Sequence, residues 1–204
     1  IPKVEADDVI AYLSKSVITH PKDKSFIVSS DKDFLQLVSE NVIVYRPMEK
    51  EYYTPKTVID KYKISPHNFI LHKTLLGDNS DKIKGVKGLG EKGLLKKFPE
   101  LIEKNLDWND ILDICENKMS DHAVYARIIH GQSDLEKNYK IMDLSNPMLS
   151  KEDKEWLDEI VLSKDLPYYP DQFVSMYNED QIGGLIRNLE FWVKDCFENL
   201  VIKK

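Results

Sequence analysis

The sequence predicts an α/β fold in which a parallel sheet near the start of the chain gives way to a mostly helical remainder. Residues 26–28 and 42–45 are short, uninterrupted apolar runs with β-branched side chains, which is typical of buried parallel strands. A helical spacing of apolar residues precedes the first run, and helical patterns dominate after residue 54. We therefore expect an α/β portion that ends near Arg46 and is followed by helices.

The composition is that of an ordinary folded protein and narrows the possible functions. Of the 204 residues, 42% are hydrophobic and 31% are charged, which argues against a disordered, collagen-like or disulfide-rich chain. The net charge is −6, so a nucleic-acid partner requires a local basic patch. No apolar run approaches the ~18 residues of a membrane span, so no membrane partner is expected. Cys115 and Cys196 lack zinc-ligand spacing, which favours a reducing, cytoplasmic location (the host cytoplasm if the protein is viral).

The first portion alternates between helix and strand. Apolar residues with helical spacing predict a helix over residues 6–17, which the polar residues 19–24 close. After the first strand, residues 34–38 have the pattern of a short helix, and the second strand follows. Pro47 and the charged residues after it form a turn that leads out of this portion.

The remainder begins with two proline-marked helix starts. Thr54 precedes Pro55 and Ser65 precedes Pro66, so each pair supplies an N-cap and a proline in the first turn. Helices are predicted over residues 55–62, 66–76, 94–104, 108–116, 121–130, 152–162 and 181–200. We divide the chain into an α/β core portion (1–46), a hairpin region (47–105) and a C-terminal helical region packed on the core (106–204).

Seven carboxylates are concentrated in three short segments. One group lies at the start of the first helix, one directly follows the first strand, and one lies where a predicted helix ends, at a terminus that disfavours anions. The seven residues are Glu5, Asp7 and Asp8, then Asp31 and Asp33, and then Asp78 and Asp81.

Each group also has a simpler explanation when it is considered alone. Acidic residues in a first helical turn are common capping features, and acidic loop residues are often merely solvated. The pair after the strand is harder to explain in this way, because ligands bind at the carboxyl ends of strands in open α/β sheets. Two aspartates there repel each other unless a cation or a proton intervenes. Together, the three segments predict a site for two hard divalent cations that act in phosphodiester hydrolysis.

Residues 85–93 form a glycine- and lysine-rich segment. They contain a formal G-x-G-x-x-G, but polar residues rather than a buried strand precede it, so a dinucleotide site is excluded. We expect two short helices joined by a tight Gly-Val-Lys-Gly turn whose N–H groups point at an anion. A solvated helix face is the alternative explanation for the six lysines between residues 82 and 97, but next to this turn they favour binding to a phosphate backbone. The candidate DNA-binding residues are Lys82, Lys84, Gly85, Lys87, Gly88, Gly90 and Lys92.

The motifs between residues 4 and 98 resemble, in order and spacing, those of the 5′ nuclease family. This family comprises flap endonucleases, the 5′-nuclease domain of bacterial DNA polymerase I and phage 5′→3′ exonucleases. The helical tail at residues 192–202 is most similar to the ribonuclease H type of T-even phages. The motifs are Glu-Ala-Asp-Asp at residues 5–8, Ser-Asp-Lys-Asp-Phe at 30–34, Gly-Asp-Asn-Ser-Asp at 77–81 and Gly-Val-Lys-Gly-Leu-Gly at 85–90.

The resemblance implies a PIN/5′-nuclease-like parallel-sheet core, a helix–hairpin–helix and a role for each acidic residue. One Mg²⁺ is expected among Glu5, Asp7, Asp8 and Asp31, and a second among Asp31, Asp33, Asp78 and Asp81, with Mn²⁺ as a substitute. Asp31, Asp33 and Asp78 are the expected catalytic residues. The hairpin is expected to grip duplex DNA, often with a K⁺ ion at its turn. Lys84, Lys87 and Gly93-Leu94 depart from the family, which usually has proline at the first two positions and Thr-Ala at the last.

The family also has a first strand with an aspartate, a second aspartate and a basic arch upstream of its Glu-Ala-Asp-Asp motif. None of these is present in this sequence, so we expect the chain to be the C-terminal part of a longer protein, with the N-terminal part as a partner. The expected function is metal-dependent 5′ nuclease cleavage of flap, nicked or primer-containing DNA in replication or repair. A replication clamp or a single-strand-binding protein is a further expected partner.

Two alternatives remain open at this stage. The first is a catalytically incomplete, structure-specific DNA-binding fragment, against which the seven carboxylates argue because binding alone does not need them. The second is a PIN-type hydrolase of RNA, against which the glycine-rich hairpin argues.

Overall fold

The computed structural model describes residues 1, 3–162, 169–181 and 183–197, and its main sheet has three strands. These strands are β1 (Ser25–Val28), β2 (Val42–Arg46) and β3 (Glu51–Tyr53), in the order β1-β2-β3. β1 and β2 are parallel, with Ser25 opposite Val42, whereas β2 and β3 are antiparallel. The parallel pair confirms the predicted α/β class, because both apolar runs form strands. The prediction that both strands are buried is wrong for β1: Ile27 lies in the core, but Phe26 and Val28 alternate onto the opposite face and are exposed.

Helix α1 (Ala6–Ser16) precedes β1, and a 3-10 helix at Asp33–Leu37 connects β1 to β2. Ala11 of α1, Leu35 of the 3-10 helix and Val44 of β2 are fully buried in one hydrophobic core. The β1–β2 connection therefore lies against the core, and this fixes the position of the acidic residues at its start.

Two helices follow β3 at the positions that the prolines predict. Helix α2 is Pro55–Tyr62, and a 3-10 turn at Pro66–Asn68 leads into α3 (Phe69–Leu76). The Thr54 Oγ1 accepts a hydrogen bond from the Thr57 N–H at 3.3 Å, and the Ser65 Oγ accepts one from the Asn68 N–H at 3.4 Å. Both N-caps are thus confirmed.

The later helices differ in part from the predicted ranges. Pro99 cannot continue a helix, so the predicted helix 94–104 is divided into α4 and α5. No helix was predicted for residues 132–142 or 170–179, where α8 and α10 lie. The predicted helix 181–200 is also wrong in its extent, because α11 begins at Leu189, and residues 182 and 198–200 lie outside the described residues. The helices are α4 (Glu91–Lys97), α5 (Glu100–Glu103), α6 (Trp108–Asn117), α7 (Ala123–His130), α8 (Gln132–Met142), α9 (Lys151–Leu162), α10 (Pro170–Glu179) and α11 (Leu189–Phe197).

The chain forms two compact units, Ile1–Glu155 and Trp156–Lys204. The boundary falls inside the predicted third region, and the division at residues 46 and 105 stays a prediction. Of the tail resemblance at residues 192–202, residues 198–202 lie outside the described residues. Among the described residues, no helix combines the length and the hydrophobicity needed to cross a membrane.

Candidate metal centre and nucleic-acid interface

Three of the predicted metal ligands lie together in the first unit. One carboxylate oxygen each of Asp33, Asp78 and Asp81 lies within 4.8 Å of the others. Asp33 begins the 3-10 helix after β1. Asp78 ends the two-residue strand β4 (Gly77–Asp78), and Asp81 lies in the loop to its antiparallel partner β5 (Ile83–Lys84). Carboxylates that are 45 residues or more apart in sequence thus meet because the β4–β5 hairpin lies at the carboxyl end of β1.

A lysine that the sequence analysis missed connects two of these carboxylates. The Lys73 Nζ on α3 forms ion pairs with Asp33 and with the Asp78 Oδ2, the latter at 2.5 Å. Only 7% of Lys73 is exposed, and a buried ammonium group is stable only when it is paired. Its position inside the apolar run of α3 is the sequence signal that predicts such a buried pair.

Asp78 is held in its charged form by its neighbours. Partial burial alone would raise the pKa of Asp78, but hydrogen bonds from Lys73 and from Ser80 hold this pKa well below its usual range. The Ser80 N–H donates to the Asp78 Oδ1 at 2.7 Å, and the Ser80 hydroxyl donates to the same oxygen. Asp78 is therefore an anion at neutral pH, as a metal ligand must be.

Burial and the negative charges of the other two acidic segments raise the pKa of a residue in the first segment, Asp7. Burial raises the pKa of Asp7, and the negative charges of Asp31, Glu5, Asp8 and Asp81 raise it further, in that order. Carboxylates from all three segments therefore repel one another at this end of the sheet, and a bound cation would relieve this repulsion.

The remaining predicted ligands have different surroundings. The Glu5 side chain forms no capping hydrogen bond at the start of α1, so capping does not explain it. The Asp31 Oδ1 accepts a hydrogen bond from the Asp33 N–H at 2.8 Å and Asp31 stays exposed. Asp8 is 8% exposed, and its Oδ1 accepts a hydrogen bond from the Met148 N–H at 2.9 Å, which leaves one oxygen available. The catalytic and ligand roles of all seven residues stay predictions.

A cavity of about 730 Å³ borders the carboxylates. Asp31, Lys73 and Asp78 line it, together with Arg46 and His72. The cluster thus adjoins a space that can hold part of a substrate.

The glycine-rich turn follows the acidic loop without a break. Gly77 pairs with Lys84 across β4–β5, and the turn begins at the next residue, Gly85. The Val86 N–H donates to the Leu75 carbonyl at 2.8 Å, and the Leu89 N–H donates to the Val86 carbonyl at 3.0 Å. Gly88 has a φ of +80°, a conformation that glycine adopts readily. The prediction of a helix directly before the turn is wrong, because the polar residues there form the acidic loop and β5 instead.

The predicted DNA-binding residues lie on the outside of this turn. Val86 and Leu89 are buried and anchor it, whereas the four lysines and the glycines at 88 and 90 are exposed and Gly85 is half-buried. None of the four lysines forms an ion pair with a residue that the structure describes, so their charges stay available to an anion. These lysines are Lys82, Lys84, Lys87 and Lys92.

Comparison with known proteins relates the chain to exonucleases. Residues 1–63 match the family described as "5'-3' exonuclease, N-terminal resolvase-like domain". A 5'-3' exonuclease of Aquifex aeolicus is 36% identical over 159 residues, which is 75% of this chain and 50% of the exonuclease. The thermostable DNA polymerase I of Thermus thermophilus is 39% identical over 112 residues, which is 52% of this chain and 13% of the polymerase. The chain thus spans about half the length of the exonuclease that it matches.

Solved structures share the fold. A bacteriophage T5 flap endonuclease, solved as a pseudo-enzyme–product complex with DNA and metal ions, matches with a TM-score of 0.65 and 22% identity over 79% of this chain and 60% of that chain. A T5 5'-exonuclease with bound divalent metal ions (zinc) matches with a TM-score of 0.65 and 23% identity over 79% and 60%. Residues 1–63 thus belong to the 5'-3' exonuclease family by their domain match, and the exonuclease of Aquifex aeolicus extends this similarity over 159 residues of the chain.

Proposed function

We propose that the chain supplies the metal centre and the DNA-binding glycine-rich turn of a 5′ nuclease. This nuclease hydrolyses phosphodiester bonds in flap, nicked or primer-containing DNA during replication or repair. One observation carries this proposal. Asp78 ends β4 and Asp81 lies in the β4–β5 loop, and the glycine-rich turn starts directly after β5. A duplex held by the turn therefore has a phosphate close to the acidic cluster.

The donor set at the cluster fits a hard divalent cation. Asp33, Asp78 and Asp81 offer carboxylate oxygens within 4.8 Å of one another, which are the ligands that Mg²⁺ prefers, and Mn²⁺ can replace it. A bound metal ion lowers the pKa of a coordinated water and neutralises charge on a phosphodiester. Lys73 and Ser80 hold the Asp78 carboxylate in place, and Asp31 is the proposed bridge to a second ion among Glu5, Asp7 and Asp8. Burial is the main cause of the raised pKa of Asp7, and the added effect of the charges of Asp31, Glu5, Asp8 and Asp81 supports this second position.

Four further parts of the proposal rest on the family resemblance. They are a K⁺ ion at the glycine-rich turn, a clamp or single-strand-binding partner, an N-terminal partner segment and a cytoplasmic location. The proposed DNA substrate has independent support, because the related T5 flap endonuclease was solved with DNA.

The proposal is tested by duplex binding and by cleavage of a 5′-flap substrate in Mg²⁺. Replacing Lys82, Lys84 and Lys87 by alanine removes up to three phosphate contacts, and each contributes about 0.9 to the slope of log affinity against log salt. Binding should weaken on every sequence and its salt dependence should flatten. A control variant with alanine at the exposed lysines 22, 56 and 104 loses the same charge away from the turn and should keep the slope. A sequence-selective loss of binding would contradict backbone recognition.

The same binding and cleavage assays test the alternative function, that of a catalytically incomplete DNA-binding fragment. One observation favours it: the Lys73 ammonium group already neutralises part of the negative charge of the cluster. Duplex binding without Mg²⁺-dependent cleavage, followed by cleavage when the rest of the longer protein is present, would identify a divided active site. Cleavage by the chain alone would exclude it.

A further inference from the structure

Two side chains from the helices behind the turn bind its carbonyl groups. The Arg127 Nη1 on α7 donates a hydrogen bond to the Lys87 carbonyl at 2.7 Å. The Asn138 Nδ2 on α8 donates one to the Lys84 carbonyl at 3.3 Å. These contacts span 40 and 54 residues of sequence, so helices from outside the glycine-rich segment hold it at two points.

The two carbonyls belong to the peptide groups whose N–H groups are those of Gly85 and Gly88. A trans peptide group is planar and directs its N–H opposite to its C=O, and the described residues contain no cis peptide bond. Because the carbonyls of Lys84 and Lys87 point at α8 and α7, the N–H groups of Gly85 and Gly88 point away from these helices. The two side-chain hydrogen bonds on one side of the turn thus help to set the direction of the Gly85 and Gly88 N–H groups on the other side.

Packing alone does not fix this arrangement. A cleft of about 390 Å³ lies between residues 84–87 of the turn and the helix residues Arg127, Leu135 and Asn138. Val86 and Leu89 anchor the other side of the turn by packing, so across this cleft it is the hydrogen bonds from Arg127 and Asn138 that hold the Lys84 and Lys87 carbonyls. Gly88 permits the close approach of the guanidinium group, because a Cβ atom there would lie 3.0 Å from the Arg127 Nη1.

We propose that Arg127 and Asn138 are positioning residues that brace the turn so that its peptide N–H groups face a DNA phosphate. This inference rests on the proposed function and deepens it. The bracing predicts an effect on affinity that is separable from charge, because Asn138 is neutral and contributes no counterion release.

The test uses Asn138→Leu, which removes the donor and keeps the side-chain size, and Arg127→Met. Lys137→Met is the matched control, since it removes an exposed charge on α8 next to Asn138. The first readout is hydrogen exchange at the amides of Val86 and Leu89 without DNA. The second is duplex affinity at several salt concentrations, and the third is the melting temperature of each variant.

We expect faster exchange at both amides in the two bracing variants and unchanged exchange in the control. Asn138→Leu should weaken duplex binding by roughly fivefold, the equivalent of one ordinary hydrogen bond, with an unchanged salt slope and only the small fall in melting temperature that loss of an exposed hydrogen bond causes. Unchanged exchange and unchanged affinity would overturn the inference, as would a loss of affinity that only parallels a loss of melting temperature. If the unsubstituted protein binds no duplex DNA, the proposed function fails. Faster hydrogen exchange in Asn138→Leu would still support the positioning role of Asn138.

Discussion

Gly85 offers a sharp test of how the acidic loop is joined to the turn. A Cβ atom at this position would lie 2.1 Å from the Leu76 carbonyl carbon, 2.3 Å from its oxygen and 2.4 Å from the Gly77 nitrogen. All three are backbone atoms, so no side-chain rotation can relieve the contacts. Gly85→Ala must therefore separate the end of α3 from the start of the turn.

The size of the effect follows from this separation. Ordinary contact needs about 3.5 Å, so the backbones must move apart by about 1.1–1.4 Å. The Val86 N–H bond to the Leu75 carbonyl, now 2.8 Å long, lies next to the clash and would break. Overpacking costs about 1–3 kcal/mol and a lost hydrogen bond about 1 kcal/mol, so we expect a loss of about 2–4 kcal/mol. For a unit of this size, the melting temperature should fall by about 6–12 °C.

Gly93→Ala is the matched control, with the opposite expected sign. Gly93 lies within α4, and a Cβ atom there meets only the Leu89 Cδ1, at an ordinary 3.7 Å. Alanine in a helix interior is favoured over glycine by about 0.5–1 kcal/mol, so this variant should be stabilised. Urea denaturation of both variants, followed by circular dichroism, measures the difference. If both substitutions shift the unfolding free energy in the same direction, the close backbone approach at Gly85 is not as described.

Three further perturbations have defined outcomes. Where the protein cleaves 5′-flap DNA in Mg²⁺, Asp31→Asn should abolish that cleavage and leave DNA affinity within a few-fold; full activity would exclude a bridging ligand. Partial burial raises the pKa of Glu100, but the hydrogen bond from the Lys118 Nζ at 2.8 Å outweighs it, so the pKa lies below its usual value. The ion pair therefore stabilises the fold above pH 4.5, and this stabilisation is lost as the pH falls further. Glu100→Gln should therefore show a shallower loss of stability in acid, and because both groups are partly exposed the difference should stay below ~1 kcal/mol. Burial raises the pKa of the Cys115 thiol to about 12, so alkylation at pH 8 should label only Cys196 until the protein is unfolded; rapid labelling of both would contradict the burial of Cys115.

The sequence was most informative where one local signal decides the structure. The apolar runs of β1 and β2 have no polar interruption, and Thr54-Pro55 combines a cap with a fixed φ, so these elements form where they were expected. Helix α8 has no such signal. Leu135 and Met142 are its only buried side chains, and Gly131 separates it from α7, so too few apolar residues mark its helical period.

The candidate site was predictable in its residue types and not in its connections. Each acidic segment lies next to a strand or helix end, and this shared placement predicts that the three segments form one divalent-cation site. The partners of these segments come from elsewhere in the fold. Lys73 and Asp33 are 40 residues apart, and Arg127 meets Lys87 across a similar separation. No local pattern contains such pairs, because tertiary packing alone brings them together.

Lys73 also sets the charge that the cluster presents to a metal ion. As carboxylates, Asp33, Asp78 and Asp81 carry −3, and the ammonium group adds +1, so the net charge is −3 + 1 = −2, which a single divalent cation balances. The lysine is buried and holds Asp33 and Asp78 from the protein side, whereas Asp81 is exposed. Two of the three proposed ligands are thus held by the protein itself, and only Asp81 would have to adjust on metal binding. A fixed internal cation lowers the repulsion that would otherwise spread the carboxylates apart, so the folded chain keeps the three carboxylate groups close together without a metal ion.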